Sequence, residues 1–95
     1  MIVSMIQFIF EIPDAQSIKD KRRIVRSIKD KFLRKFRISV AEVDLQDSLR
    51  FAQIGGAFVS NSRDFGETVL NKAFKMIEDE MPVRIQDMHI YSEEF

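Results

Sequence analysis

Two hydrophobic periodicities alternate along this chain, and their order constrains the fold more than any other feature. Runs with the period of two that is typical of strands alternate with runs of the helical period. In sequence, the runs cover residues 2–12, 18–36, 38–44, 50–60, 63–80 and 83–91. With right-handed crossovers, the order β-α-β-β-α-β predicts an α+β, ferredoxin-like sandwich. We expect a single domain at residues 1–95, with a four-stranded antiparallel sheet and both helices on one face.

The side chains of the first strand divide between two faces. Its even positions are uniformly large and apolar (Ile6, Phe8, Phe10, Ile12), so we assign them to the core beneath the helices. The odd positions, with the third strand, leave an aliphatic open face without an aromatic residue (Val3, Met5, Ile9, Ala57, Val59). Such a face favours a protein partner, and we predict a homodimer that buries part of the face formed by Val3, Met5 and Ile9, or part of the adjoining edge. The alternative is a modest apolar surface of a kind that monomers commonly show.

Capping residues mark the start of each helix. Ser17 is a suitable N-cap, and Asp20 can reach back to form a capping box. The cap of the second helix is Asn61 or Ser62. Each helix carries an apolar stripe, which we predict to be Ile18, Val25, Ile28, Phe32 and Phe36 in the first helix and Phe65, Val69, Ala73, Phe74 and Ile77 in the second, with Ile24 and Leu33 at the margins of the first. Within the third strand, Gly55-Gly56 indicates a bulge or a close backbone approach.

Charge is distributed unevenly along a chain whose 15 basic and 15 acidic residues balance. Residues 19–37 contain ten Lys/Arg and two Asp, whereas residues 64–95 contain eight Asp/Glu and three Lys/Arg. Clustered cations on a helix are typical of contact with phosphates, because they release counterions from a nucleic acid. The candidate nucleic-acid contacts are Lys19, Arg22, Arg23, Arg26 and Lys29. Alternatively, this is a solvated face whose charge is balanced by the acidic second helix and C-terminal strand.

No residue pattern indicates catalysis. The chain has no Cys, which excludes disulfides, thiolate metal sites and Cys nucleophiles. The single histidine, His89, has Asp87 nearby but no paired nucleophile, so a structural hydrogen bond is the better interpretation. Glu42 and Asp44 are predicted to share a strand face, with Asp47 in the adjoining loop. These three carboxylates could hold Mg²⁺ or Ca²⁺, but acidic turns at strand ends are common. We therefore expect no catalytic residue, no metal and no cofactor. The apolar runs are shorter than a membrane span, no signal peptide is evident, and we expect a cytoplasmic protein.

Several segments resemble a known family. Met1–Val3, IPDAQSIKDKRR at 12–23, VAEVDLQD at 40–47 and GAFVSN at 56–61 are similar, in order and spacing, to the YlxP-like family of small bacterial proteins, a domain of unknown function. The resemblance implies a ferredoxin-like fold and a bacterial cytosolic protein, often encoded beside translation and ribosome-maturation factors. It implies no catalytic residue.

Three functional hypotheses follow, in order of preference. The first is a non-catalytic RNA- or ribosome-associated factor that binds through the basic helix. The second is a dimeric protein-interaction module that uses the open sheet face without nucleic acid. The third is a metal-dependent enzyme that uses Glu42, Asp44 and Asp47.

Overall fold

The four strands form one antiparallel sheet, and both helices lie against one of its faces. The structure is a computed structural model that describes residues 1–95. Its elements are β1 (Ile2–Glu11), α1 (Ile18–Phe36), β2 (Ser39–Asp44), β3 (Phe51–Ser60), α2 (Arg63–Glu80) and β4 (Arg84–Glu94). The strand order across the sheet is β2-β3-β1-β4, and every pairing is antiparallel. The predicted ferredoxin-like fold is confirmed, although β4 continues beyond residue 91, where the sequence predicted its end.

The core lies between the helices and the even positions of β1, as the period of two predicts. Ile6, Phe8 and Phe10 are buried, whereas the odd positions of β1 are half-buried or exposed. Phe8 is central: its ring centroid lies 5.9 Å from that of Phe32 in α1 and 5.4 Å from that of Phe74 in α2. Aromatic pairs at such distances contribute about 0.5–1.5 kcal/mol beyond their buried area. Phe8 thus connects both helices to the central strand.

Side-chain caps define the start of both helices. The Ser17 hydroxyl accepts a hydrogen bond from the Asp20 N–H at 3.1 Å, and the Asp20 carboxylate accepts one from the Gln16 N–H at 3.1 Å. The predicted capping box is therefore present, with its return bond shifted by one residue. Helix α1 ends at Phe36, and its C-cap residue, Arg37, adopts a left-handed conformation (φ 58°) and donates its N–H to the Leu33 carbonyl. Ser62 is the N-cap of α2.

The buried stripe of each helix differs from the prediction at one end. In α1, Ile18 is 43% exposed, and the position one turn later that is buried is Lys21. In α2, Phe65 is 57% exposed, whereas Gly66 and Leu70 are buried. Gly66 causes the second difference, because α2 packs so closely on β1 that a Cβ at residue 66 would lie 3.0 Å from the Ser4 Cβ. The face of α2 that meets the sheet is therefore rotated towards Gly66.

The glycine pair of β3 permits close approach and forms no bulge. A Cβ at Gly56 would lie 3.0 Å from Cγ2 of Ile38, and a Cβ at Gly55 would lie 3.0 Å from Cγ1 of Val43. A register shift lies in the neighbouring strand β2 instead: Glu42 pairs with Ile54, but Asp44 pairs with Gln53. One additional residue, Val43, is thus accommodated in β2, and it packs over Gly55.

Candidate functional site

The five predicted nucleic-acid contacts all lie exposed on α1. Their spacing of three or four residues places them on one side of the helix, and the buried residues Val25, Ile28 and Phe32 occupy the other. Four of the five line one depression on the helix surface, and three line a cleft beside it: Lys19, Arg22, Arg23 and Arg26 for the depression, and Arg22, Arg26 and Lys29 for the cleft. The structure therefore brings these cations together on one continuous surface, which we call the α1 basic face.

Very little of this positive charge is neutralised within the molecule. Of the ten Lys/Arg at residues 19–37, two have a carboxylate within 4.0 Å: Lys21 with Glu42, and Lys31 with Glu80 at 3.7 Å. The acidic C-terminal third of the chain forms an ion pair with only one of these ten cations, Lys31. Direct pairing with the second helix, which was one interpretation of the charge pattern, accounts for one cation. Every member of the α1 basic face lacks an ion-pair partner.

A cleft of about 300 Å³ separates α1 from β2 and the loop that follows it. Arg22, Arg26 and Lys29 project from its helical side, while Glu42 and Gln46 lie on the strand and loop side. Ile18, Lys21 and Val25 complete the lining. The cleft is therefore cationic along one wall and carries a carboxylate and an amide on the other.

Two of the residues that line this cleft, Lys21 and Glu42, form an ion pair. The Lys21 side chain is 2% exposed, and its ammonium donates hydrogen bonds to the carbonyls of Leu45 and Ser48, each at 2.6 Å. Its Nζ lies 3.1 Å from Glu42 Oε2, but that oxygen accepts no hydrogen bond, so charge rather than a directed bond joins the pair. Lys21 thus fastens the loop between β2 and β3 to α1.

Lys21 was predicted neither as a core residue nor as a surface residue. A signal was available, because Lys21 lies four and seven residues before Val25 and Ile28, on the apolar stripe itself. A cation at such a position needs partners when it is buried. Here the loop carbonyls and Glu42 supply them.

The acidic group at the end of β2 is not assembled into one site. The sequence placed Glu42 and Asp44 on the same strand face, and this was wrong. The bulge at Val43 pairs Glu42 with Ile54, on the helix side, and Asp44 with Gln53, on the open side. Asp44 instead accepts a hydrogen bond from the N–H of Leu45 at 2.7 Å. No group of three carboxylate or imidazole side chains, Asp47 included, lies close enough to hold one metal ion.

The open face of the sheet is apolar near its centre. Val3, Met5 and Ile9 are half-buried there and pair with Val59, Ala57 and Gln53 of β3. The prediction that this face lacks aromatic residues was wrong. Tyr91 of β4, 42% exposed, pairs with Met5, and Phe51 of β3 pairs with Glu11. Tyr91 lies in β4, whose residues were not assigned to a face from the sequence, and Phe51 is the first residue of β3.

A shallow groove of about 290 Å³ crosses this open face beside Met5 and Tyr91. Its other walls come from β2 and from the glycine pair of β3, where no side chains rise above the backbone.

On the same strand as Tyr91, the exposed His89 lies 3.2 Å from the Asp87 carboxylate through its Nε2. This is the structural hydrogen bond that the sequence favoured for His89.

Neither helix combines the length and the hydrophobicity that crossing a bilayer requires.

The chain is similar to a family of known proteins. The model of a protein family of unknown function, DUF503, matches residues 3–90. The uncharacterized protein YlxP of Bacillus subtilis (strain 168) is 34% identical over 67 residues, which cover 70% of this chain and 73% of that protein. A dimeric protein of unknown function from Bacteroides fragilis NCTC 9343, with a ferredoxin-like fold, matches with a TM-score of 0.54 and 15% identity, covering 99% of this chain and 96% of that one. This chain belongs to the DUF503 family.

Proposed function

We propose that this member of the DUF503 family is a non-catalytic RNA-binding factor that associates with ribosomal RNA through the α1 basic face. One observation carries the proposal: the cations of that face are exposed, adjacent and free of intramolecular ion pairs. Unpaired cations are available to displace the counterions that condense on a polyphosphate. Charges kept only for solubility do not need to be concentrated on one side of one helix.

The composition of the face suits phosphate contact. Arg22, Arg23 and Arg26 offer planar guanidinium groups, which bind phosphate oxygens through two parallel hydrogen bonds. Lys19 and Lys29 add point charges at either end of the row. Contacts of this kind position an RNA backbone and carry no base information. The interaction on this face is therefore expected to depend strongly on salt and weakly on sequence.

The test is a salt titration of binding to a fluorescently labelled single-stranded fragment of ribosomal RNA, starting at ~50 mM salt. Five phosphate contacts at about 0.7 each give a slope of log K against log salt near −3.5. Affinity should then fall roughly a hundredfold over a fourfold rise in salt. The double variant Arg22→Glu/Arg26→Glu removes two contacts, so its slope should approach about −2 and its affinity should fall for every RNA tested.

A matched control is available on the other helix. Lys72→Glu/Lys75→Glu makes the same change in net charge, at two exposed positions of α2 that lie outside the α1 basic face. Its salt slope should equal that of the wild type. Loss of binding in the control to the same extent as in the α1 variant would show that net charge, rather than the α1 basic face, controls the interaction. If the wild-type protein fails to bind RNA at ~50 mM salt, where electrostatic contacts are strongest, the proposal is wrong.

A second proposal concerns assembly: the protein forms a homodimer through its open sheet face, with Val3, Met5 and Ile9 in the interface. Tyr91 strengthens this proposal, because it adds an exposed aromatic ring beside Met5, and aromatic residues are enriched in protein interfaces. The Bacteroides fragilis protein of the same fold is described as dimeric. Sedimentation velocity tests the proposal directly, and a monomer at high micromolar concentration would contradict it.

A further inference from the structure

The cleft between α1 and β2 is lined by cations on one side and by a carboxylate on the other, and a phosphate group is attracted only by the cations. Arg22, Arg26 and Lys29 attract an anion from one wall, but the Glu42 carboxylate repels it from the other. A surface that served only to hold phosphates would gain affinity by having no carboxylate in the same cleft. This carboxylate is the counterion of the buried Lys21, and it also gives the cleft a hydrogen-bond acceptor that a phosphate cannot use but that a ligand with both a donor and a negative charge can use.

The two oxygens of Glu42 have different surroundings. Oε2 is inaccessible to solvent and lies against the Lys21 ammonium. The Glu42 side chain is nevertheless 22% exposed and lines the cleft, and its other oxygen, Oε1, is not closed to solvent as Oε2 is. An ionised carboxylate only accepts hydrogen bonds. Glu42, oriented by Lys21, thus presents one fixed acceptor to whatever occupies the cleft.

We infer that this cleft receives a single unstacked nucleotide of the bound RNA and selects a base that carries an exocyclic amino group. Its phosphate lies against Arg22, Arg26 and Lys29, and its amino group donates to Glu42. The inference rests on the proposed RNA-binding function. The cleft volume of about 300 Å³ is at the lower end of the range of small-molecule pockets, which suits one nucleotide rather than a helix.

Cytosine and uracil separate this inference from simple phosphate binding. Both are pyrimidines of nearly the same size and shape, but cytosine has an amino donor at the position where uracil has a carbonyl oxygen. The cytosine amino group can donate to Glu42, whereas the uracil oxygen would face a carboxylate with no proton between them. Hydrogen bonds to charged groups contribute about 1.5–3 kcal/mol, which corresponds to a preference of about tenfold or more.

The experiment measures the affinity of the full chain for oligo(rC) and oligo(rU) of equal length and at equal salt. Both carry the same number of phosphates, so the α1 basic face contributes equally to each. We expect oligo(rC) to bind about tenfold more tightly, with the same salt slope for both. Equal affinity for the two oligonucleotides overturns this inference and leaves the proposed function intact. Failure of both to bind at low salt overturns the proposed function itself.

Two variants locate the preference in the cleft. Glu42→Gln removes the carboxylate while keeping its shape, and it should abolish the preference for oligo(rC) without weakening binding of oligo(rU). Asp47→Asn removes one negative charge from the loop that follows β2, at an exposed residue that does not line the cleft, and it should keep the preference. Because Glu42 also pairs with Lys21, a melting curve must accompany the first variant. The comparison of the two oligonucleotides with wild-type protein decides the inference even if that variant is unstable.

Discussion

Replacing Lys21 by Met should destabilise the fold far more than replacing any other cation of α1. Lys21 is the one member of the basic run whose side chain is buried, and its ammonium holds the carbonyls of Leu45 and Ser48 and pairs with Glu42. Methionine has a similar length and fills irregular apolar space, so little volume is lost. What is lost is the charge, together with the anchor of the loop between β2 and β3.

The magnitude follows from what remains unpaired. Removing one partner of a buried ion pair costs about 3–5 kcal/mol, because the other charge stays in a poorly solvated site. Glu42 is 22% exposed, and the Leu45 and Ser48 carbonyls lie in a half-buried loop that water can reach after relaxation, which favours the lower end. We expect a loss of about 3 kcal/mol in the free energy of unfolding. For a domain of this size, that corresponds to a fall of roughly 12–24 °C in Tm.

Guanidinium unfolding, followed by circular dichroism, measures the loss as a lower midpoint at an unchanged m-value. Lys19→Met is the matched control: it makes the same substitution at an exposed position two residues earlier and should cost under about 0.5 kcal/mol. The double variant Lys21→Met/Glu42→Leu should recover part of the loss, because apolar residues replace a buried pair at little cost. Equal stability of the Lys21 and Lys19 variants would refute the assignment of Lys21 as a buried structural cation.

The remaining predictions concern the open sheet face and the contact between α2 and β1. Met5→Lys should convert the proposed dimer to a monomer in sedimentation velocity while leaving the melting curve nearly unchanged, since Met5 lies half-buried on the open face and a Lys there can extend its ammonium into water; a persistent dimer would exclude this part of the face from the interface. Gly66→Ala should cost about 1–3 kcal/mol in chemical unfolding, because the new methyl group overlaps Ser4 Oγ and lies 3.0 Å from the Ser4 Cβ. A gain in stability, which Gly→Ala normally gives at an unobstructed helix position, would show that α2 can shift away from β1.

The sequence predicted the fold because the features that determine it are local. The alternation of β1 and the N-cap at Ser17 can each be recognised within a few residues, and the structure confirms both. The helix stripes were less well predicted where tertiary contacts decided them. Gly66 is buried because another strand approaches it, and Lys21 is buried because a distant loop supplies carbonyls.

The candidate site, too, was predicted correctly where local periodicity determines it and incorrectly where tertiary contacts do. The exposure of Arg22 and Arg26 follows from helical periodicity and could be predicted. The ion pair between Lys21 and Glu42 joins residues 21 positions apart in the sequence. Hydrophobic periodicity does not predict which strand residue lies against a given helix residue. The bulge at Val43 was also invisible to a strict period of two, so Asp44 was assigned to the wrong face. Tyr91 was missed because only two of the four strands entered the argument.

The four-stranded sheet also separates two sets of residues that can change independently over evolution. Within β1, substitutions at Met5 alter the open face, whereas the core contacts of its neighbour Ile6 lie on the helix side. The α1 basic face lies beyond the helix layer, and side chains without shared partners at such separations have nearly additive effects on stability. One lineage could therefore exchange its partner at the open face while keeping its helix charges, and another could do the reverse. Correlated substitution between Met5 and Tyr91, but not between Met5 and Arg22, is the pattern that such a partition would leave.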